Sequence, residues 1–376
     1  MRYFLVAGEA SGDLHASALI RALRAEDPEA SFAFMGGDKM EASAGVAPIV
    51  HYREVAFMGI VSVVKNLGKL TRIGRQIQSA MRDFAPDVVI PVDYADFNFR
   101  FILPYAKKEL RCPVIYYILP KLWAWRAGRI RQLRRYVDLG LSILPFETSY
   151  FSDRGLRTEY IGNPCVDAKL TYLTEHPETV EREQMLLLVP GSRQSELRDN
   201  LPEMLAATAA YSQLGWRVVI AGAPGLTAAD YAPYLGKYSD TPILFGDTYG
   251  LMCRAHAALV TSGTATLEAG LWGIPMVVCY RMGGRRIARL VFERLFRVPY
   301  FSLVNLILDR PAVPELLADR AHSVQILSIL SHLIPEEDHR RTDQLQAFAQ
   351  LQELMGTEPS APRAARAILS YLHEAR

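Results

Sequence analysis

The chain has 376 residues, more than a single core normally carries, so two domains are expected. Half of it is hydrophobic, 22% is charged and the formal net charge is only +2, which describes a folded globular protein and argues against wholesale nucleic-acid binding. The four cysteines, Cys112, Cys165, Cys253 and Cys279, lie far apart with no C-x-x-C pair, so neither a zinc site nor a disulfide framework is indicated.

The chain starts MRYFLVAGEASGD, an apolar run too short for a signal peptide. No window reaches ~18 uninterrupted apolar residues, so no transmembrane helix is expected. Together these predict a protein made and kept inside the cell. RYFLVAG reads as a buried strand. It runs into GEASGD, Gly8 to Asp13, which opens a helix near Leu14. The glycines of this loop are four apart, matching neither a dinucleotide fingerprint nor a P-loop, which disfavours a dehydrogenase or an ATPase. Read locally, it is a tight turn with Ser11 or Asp13 capping the helix.

SFAFMGG is the next strand, and then comes AFMGIVSVVKNLGKLTRIGR, Ala56 to Arg75. At ~100° per residue, Ile60, Val61, Val63, Val64, Leu67 and Leu70 form its apolar set, with Lys65, Lys69 and Arg72 on the opposite face. Two readings fit: an interfacial helix lying on a lipid surface, or a domain helix packed on its own sheet. DVVIPVD follows as a strand that ends in PVDYADFN, where Asp93 and Asp96 are candidates for a general base if burial or a neighbouring carboxylate raises one of them. Asp96 is also placed to cap a helix starting at Phe97. PVIYYILP and LGLSILPF complete a set of continuous apolar strands, the mark of a parallel sheet covered on both faces.

Gly162 to Glu183 carries little hydrophobic pattern and reads as a linker. The rhythm then restarts with MLLLVPGS, RVVIAGA, PILFGD, HAALVTSG and PMVVCYR, alternating with helices such as Ser195 to Gln213 and Thr264 to Trp272. In PGSRQSE, Gly191 and Ser192 offer backbone N–H groups at a helix start, and Arg193 adds a planar fork suited to phosphate oxygens. In TSGTATLEAG, the turn through Ser262, Gly263, Thr264 and Ala265 suits a diphosphate at a helix N-terminus, and Glu268 suits a ribose diol. From about Ala312 only helical patterns remain. No His, Cys and carboxylate cluster has metal-ligand spacing, so neither metal nor cofactor is expected. The prediction is an α/β protein of two doubly wound Rossmann-like domains, 1–165 and 183–345, facing across a cleft, with a helical tail, 346–376, packing back on the first domain. A carboxylate and a diphosphate cradle without a cofactor suit nucleotide-sugar transfer.

GEASGD, MGI at 58–60, VDYADFN, LWAWR at 122–126, LPFE at 144–147, IGNP, PGSR, SGTATLE, YRM at 280–282 and SLVNLI at 302–307 occur in this order along nearly the whole chain, and together they resemble the lipid-A-disaccharide synthases. The resemblance implies a glycosyltransferase of the B-type fold. It implies metal-free transfer of 2,3-diacylglucosamine from its UDP derivative to 2,3-diacylglucosamine 1-phosphate, forming a β-1,6 bond with inversion. Asp93 then takes the catalytic position, with Asp96 and Asp13 as alternative carboxylates. Gly191, Ser192, Arg193, Ser262, Gly263, Thr264, Ala265, Glu268 and Asn305 take the nucleotide-sugar positions. Leu119 stands where Ser is more usual and Val304 where Pro is frequent. Acylated substrates imply peripheral association with the cytoplasmic face of the inner membrane, which favours the docking reading of Ala56 to Arg75. A second basic cluster, Arg126, Arg129, Arg131, Arg134 and Arg135, suits the acceptor's phosphate, the membrane surface or a solvated helix face. A homodimer exchanging its terminal helices is compatible with the sequence. The rival readings are a peptidoglycan N-acetylglucosaminyltransferase, a UDP-sugar epimerase, and a non-catalytic nucleotide-sugar or lipid-binding module.

Overall fold

The central strands of the first half carry side chains that are buried on both faces, which calls for a sheet sandwiched between helix layers. A computed structural model describes residues 1–55, 67–178, 180–281 and 299–374. It divides the chain into two units, Met1–Pro164 with Glu358–Arg376, and Cys165–Thr357.

The first unit holds a parallel sheet of seven strands: β1 (Arg2–Ala7), β2 (Ser31–Gly36), β3 (Val50–His51), β4 (Val88–Val92), β5 (Ile115–Tyr117), β6 (Leu139–Ser142) and β7 (Thr158–Tyr160). Their spatial order is β3-β2-β1-β4-β5-β6-β7, so the winding direction reverses between β1 and β4. There Ala7 lies in register with Val92. Tyr3, Leu5 and Ala7 point into one core and Phe4 and Val6 into the other. The helix Leu67–Phe84 packs on the second of these cores through Ile73, Ile77 and Met81, with Leu70 partly buried against it.

The second unit repeats the plan with β8 (Met185–Val189), β9 (Arg217–Gly222), β10 (Ile243–Phe245), β11 (Ala257–Thr261), β12 (Met276–Tyr280) and β13 (Glu315–Leu317), all parallel, in the order β10-β9-β8-β11-β12-β13. Its winding reverses between β8 and β11, where Val189 meets Val260. The helix Gln194–Gln213 covers this sheet with the stripe Leu197, Leu201, Met204 and Leu205.

Three expectations need correction. The stretch taken for a linker is largely helix, Pro164–Glu175; its pattern is faint because Val166 is its one fully buried residue. Strands do not stop at Ala312, since Glu315–Leu317 adds an edge to the second sheet beside Val278–Tyr280. Three residues are too few to show a period. The tail does not act as one piece from 346 onward. The helix His339–Met355 belongs to the second unit, whereas Ser360–Glu374 lies in the first and packs on the helix Ala10–Glu26. Its stripe Ala361, Ala364, Ala365, Ile368 and Leu372 is buried, and all but Ala361 join the core of Leu19, Ile20 and Leu23. Among the described residues no helix is long and apolar enough to cross a membrane.

Candidate active site

In open parallel sheets, ligands sit beyond the carboxyl ends of the strands where the winding reverses, because the loops there diverge and leave a crevice. Each unit has one such point, and the loops singled out in the sequence lie at both.

In the first unit the loops after β1 and β4 carry Glu9 and Asp93. Asp93 and Tyr94 both have left-handed backbones, with φ of 43° and 42°, a conformation uncommon for residues other than glycine. Side chains hold it: the hydroxyl of Tyr116 (2.5 Å) and Nδ2 of Asn98 (2.7 Å) both donate to the Asp93 carbonyl. Tyr94 donates from its hydroxyl to the carbonyl of Val55. On the neighbouring strand end Ile118 also has a positive φ, of 63°, and Arg126 follows at 54°. Strain gathered in this way at the carboxyl ends of adjacent strands is characteristic of functional loops. Burial, and after it the negative charge of Glu9, push the Asp93 carboxyl up to about 6, with Lys121 pulling the other way. The group is therefore a stronger base than a free aspartate.

Asp96 has a different role from the one expected. It neither acts as a helix cap nor stands free as a base: Arg126 Nη1 (2.7 Å) and Arg129 Nη2 both reach its Oδ1. Burial disfavours its charge, but the hydrogen bonds and charges of Arg129 and Arg126 outweigh this and hold the carboxyl below its usual range. Asp13 is also committed elsewhere. Buried, it accepts the backbone N–H groups of Gly37 (2.7 Å), Lys39 (3.1 Å) and Met40 (3.1 Å), capping the helix Asp38–Ala44 rather than its own. Leu119 is buried against Gly140 and brings no hydroxyl here.

One residue absent from the expected set is Glu147 of the LPFE motif. It is buried, accepting Trp123 Nε1–H at 2.9 Å and the N–H of Leu144 at 3.3 Å, so it fixes the first tryptophan of LWAWR. Burial pushes its carboxyl up to about 7 against the pull of the Trp123 hydrogen bond. An acidic residue in the first turn of a helix opened by Leu-Pro-Phe was the available signal.

In the second unit the loops after β8 and β11 enclose a pocket of about 330 Å³ lined by Gly191, Ser192, Arg193, Ser262, Gly263, Thr264, Ala265 and Glu268 together with Glu196, Thr248 and Thr261. Gly191, at φ 117°, and Gly263, at φ 154° and ψ −160°, occupy backbone regions in which a side chain is strained, so these loops need glycine. The helix Thr264–Leu271 starts at the pocket and has no side-chain cap, so its first N–H groups and its positive dipole end face the space. Arg193 is held by Glu196, Nη1 to Oε1 at 2.8 Å, and the same carboxylate accepts the Ser192 N–H at 2.9 Å. Glu268 accepts the Tyr249 hydroxyl at 2.8 Å, and burial raises its carboxyl despite that bond. Thr261, which the sequence reading passed over, is buried and lines the pocket, and its hydroxyl has no hydrogen-bond partner among the described residues. Buried hydroxyls are nearly always paired, and a ligand oxygen in the pocket would satisfy this one.

Asn305 is not in that pocket. Its side chain bonds the backbone of Val313 in both directions and donates to Glu315, tying the helix Leu303–Leu308 to the edge strand. Val304, in the same helix, is buried against Gly270. Of the docking set, Ile60, Val61, Val63, Val64 and Lys65 lie outside the described residues. Leu67 opens the helix Leu67–Phe84; Arg72 on it is exposed, Lys69 is partly exposed, and Leu70 packs on its own sheet. Among the described residues no three His, Cys, Asp or Glu side chains gather as metal ligands would.

Residues 3–368 match the family model described as lipid-A-disaccharide synthetase. The chain belongs to the lipid-A-disaccharide synthase family. The lipid-A-disaccharide synthase of Myxococcus xanthus is 37% identical over 384 residues, covering 100% of this chain and 98% of that protein. The synthase of Acidobacterium capsulatum is 34% identical, covering 95% and 92%. Among solved structures, a putative UDP-N-acetylglucosamine 2-epimerase from Listeria monocytogenes superposes with a TM-score of 0.67 at 14% identity, covering 99% of this chain and 97% of its own. The calicheamicin glycosyltransferase CalG4 gives 0.63 at 15%, covering 100% and 99%. At these identities the structural likeness establishes the B-type glycosyltransferase fold and nothing finer. Family membership separates this chain from the epimerases and makes it a glycosyltransferase.

Proposed function

We propose that this enzyme transfers 2,3-diacylglucosamine from UDP-2,3-diacylglucosamine to 2,3-diacylglucosamine 1-phosphate, releasing UDP. The pocket at the β8–β11 reversal carries this reading. It gathers two glycine loops, an uncapped helix N-terminus, an arginine fork and an orphan hydroxyl, which is the donor set a nucleoside diphosphate asks for. Glu268 would take the ribose diol.

Asp93 would remove the proton from the acceptor's 6-hydroxyl as that oxygen attacks the anomeric carbon from the face opposite the diphosphate. The carbon–oxygen bond to the diphosphate breaks, UDP leaves with the electron pair, and the new linkage is β-1,6 with inversion. Negative charge building on the leaving diphosphate would meet Arg193 and the N–H groups at the start of Thr264–Leu271, which act before any reorganisation is needed. The reaction is expected to need no metal. Residues 56–66, with Val63 and Val64 among them, would seat the enzyme on the cytoplasmic membrane face where both lipids reside.

Incubation of the enzyme with both lipids, with and without EDTA, followed by mass analysis, tests the reaction. The expected outcome is a disaccharide 1-phosphate and one equivalent of UDP in either buffer. Release of UDP without a disaccharide, or a 2-epimerised sugar nucleotide, would overturn the proposal.

A further inference from the structure

Arg126 and Arg129 form a second convergence of charge in the first unit. Arg126 reaches Asp96 from a left-handed turn, φ 54°, with its guanidinium 4.3 Å from the centroid of the exposed Trp125 ring. Arg129 reaches the same oxygen, with its guanidinium 5.0 Å from the centroid of Phe99. Two guanidinium groups against one carboxylate leave a positive charge over. Each arginine gives Asp96 one nitrogen, Nη1 of Arg126 and Nη2 of Arg129, so donors of both forks remain for a second anion. The aromatic rings orient the forks without neutralising them.

The position makes this more than a solvated pair. Asp96 lies three residues beyond Asp93, and the buried Tyr116 hydroxyl bonded to the Asp93 carbonyl feels the charges of Asp93, Arg129 and Asp96 together. Three of the surrounding residues, Asp93, Tyr94 and Arg126, are held in left-handed backbones. The loop that carries the base at Asp93 thus also gathers, through Asp96, a pair of arginine forks.

We propose that Arg126 and Arg129 bind the phosphate monoester of the acceptor sugar, with Asp96 holding the two forks in place when no acceptor is bound. This rests on the acceptor being a sugar 1-phosphate, as argued above. Phosphate, with more oxygens and a charge near −2, is a better partner for two forks than a single carboxylate oxygen. The phosphate would then sit against the same loop that carries Asp93.

The test compares the phosphorylated acceptor with its dephosphorylated analogue in detergent micelles, for the wild type and for R126A/R129A. The wild type is expected to favour the phosphorylated acceptor. In the variant its KM should rise roughly 10- to 100-fold, as for lost hydrogen bonds to a charged group, with kcat within a few-fold. The analogue's KM should stay unchanged. Titration of glucosamine 1-phosphate gives a second reading that needs no turnover, and its affinity should fall in the same variant. R126A alone, at the more exposed of the two positions, serves if the double variant melts early.

An equal loss for both acceptors, or an unchanged preference for phosphate, overturns the proposal. So does retained binding of glucosamine 1-phosphate together with loss of binding to phosphatidylglycerol vesicles, which would assign the pair to headgroups. If the wild type transfers to neither acceptor, the parent reaction fails; weakened glucosamine 1-phosphate binding in the variant would still assign the phosphate site.

Discussion

Glu9 is exposed on the loop after β1, yet it is the second cause of the raised Asp93 carboxyl. This makes Asp93 tunable by a residue with no direct part in proton transfer. A base must be ionised to act, so kcat/KM should fall as the pH drops through about 6. E9Q removes a negative neighbour, which lowers the Asp93 pKa and should move that acid limb to lower pH. D93N should lower kcat by about 10²–10⁴-fold with UDP affinity unchanged. A limb that stays in place in E9Q, measured as rate against pH, would separate the two carboxylates. The sequence pointed to Asp93 because it ends an apolar strand. It kept Asp96 and Asp13 as alternatives because their partners lie far along the chain: Arg126 and Arg129 for one, the Gly37–Met40 turn for the other.

At the scale of elements, the two winding reversals explain why the loops were legible. A strand end that must let a ligand approach carries small residues and glycine, and these stand out at Gly191 and Gly263. Asn305 entered only through the resemblance, and its side chain bonds the edge strand Glu315–Leu317, too short to be read in advance. The helix Pro145–Ser152 offers a test of stability. Glu147 at its start is buried and pushed up to about 7 from an ordinary 4.5. A raised carboxyl means that the fold holds the proton longer than the unfolded chain does. The stability this contributes is full below pH 4.5 and is lost as the pH rises through about 7, a change of up to about 3 kcal/mol. E147Q keeps a neutral acceptor for Trp123, so the stability gap between wild type and variant should shift with pH across that range. Denaturant melts at pH 5 and pH 8 measure it; a gap constant in pH would mean that Glu147 stays ionised in the fold.

At the scale of the whole chain, the stretch Ala56 to Arg75 divides into a part that the fold accounts for and a part that carries the docking proposal. Its C-terminal part is domain helix, since Leu70 packs on the sheet and Ile73 is buried, as is Ile77 further along the same helix. The docking proposal therefore rests on residues 56–66. V63S/V64S should lower sedimentation with anionic vesicles and leave the melting temperature nearly constant. I77A should cost about 2–5 kcal/mol of stability, leaving vesicle binding of the folded fraction intact. A V63S/V64S protein that melts early but still sediments would remove the docking role. Sequence periodicity could not divide the stretch, because an apolar stripe looks the same against lipid as against a sheet.

The helix Ser360–Glu374 has a consequence for the order of synthesis. It shares a core with Leu19, Ile20 and Leu23, which leave the ribosome more than 300 residues before it. Domains usually complete themselves in the order they are made. Here the unit begun first is finished last, after all of Cys165–Thr357 has emerged and been free to fold. A nascent chain stalled before residue 358 would thus carry a complete nucleotide pocket next to a half-built partner whose first helix still shows its apolar side, a natural client for chaperones and proteases.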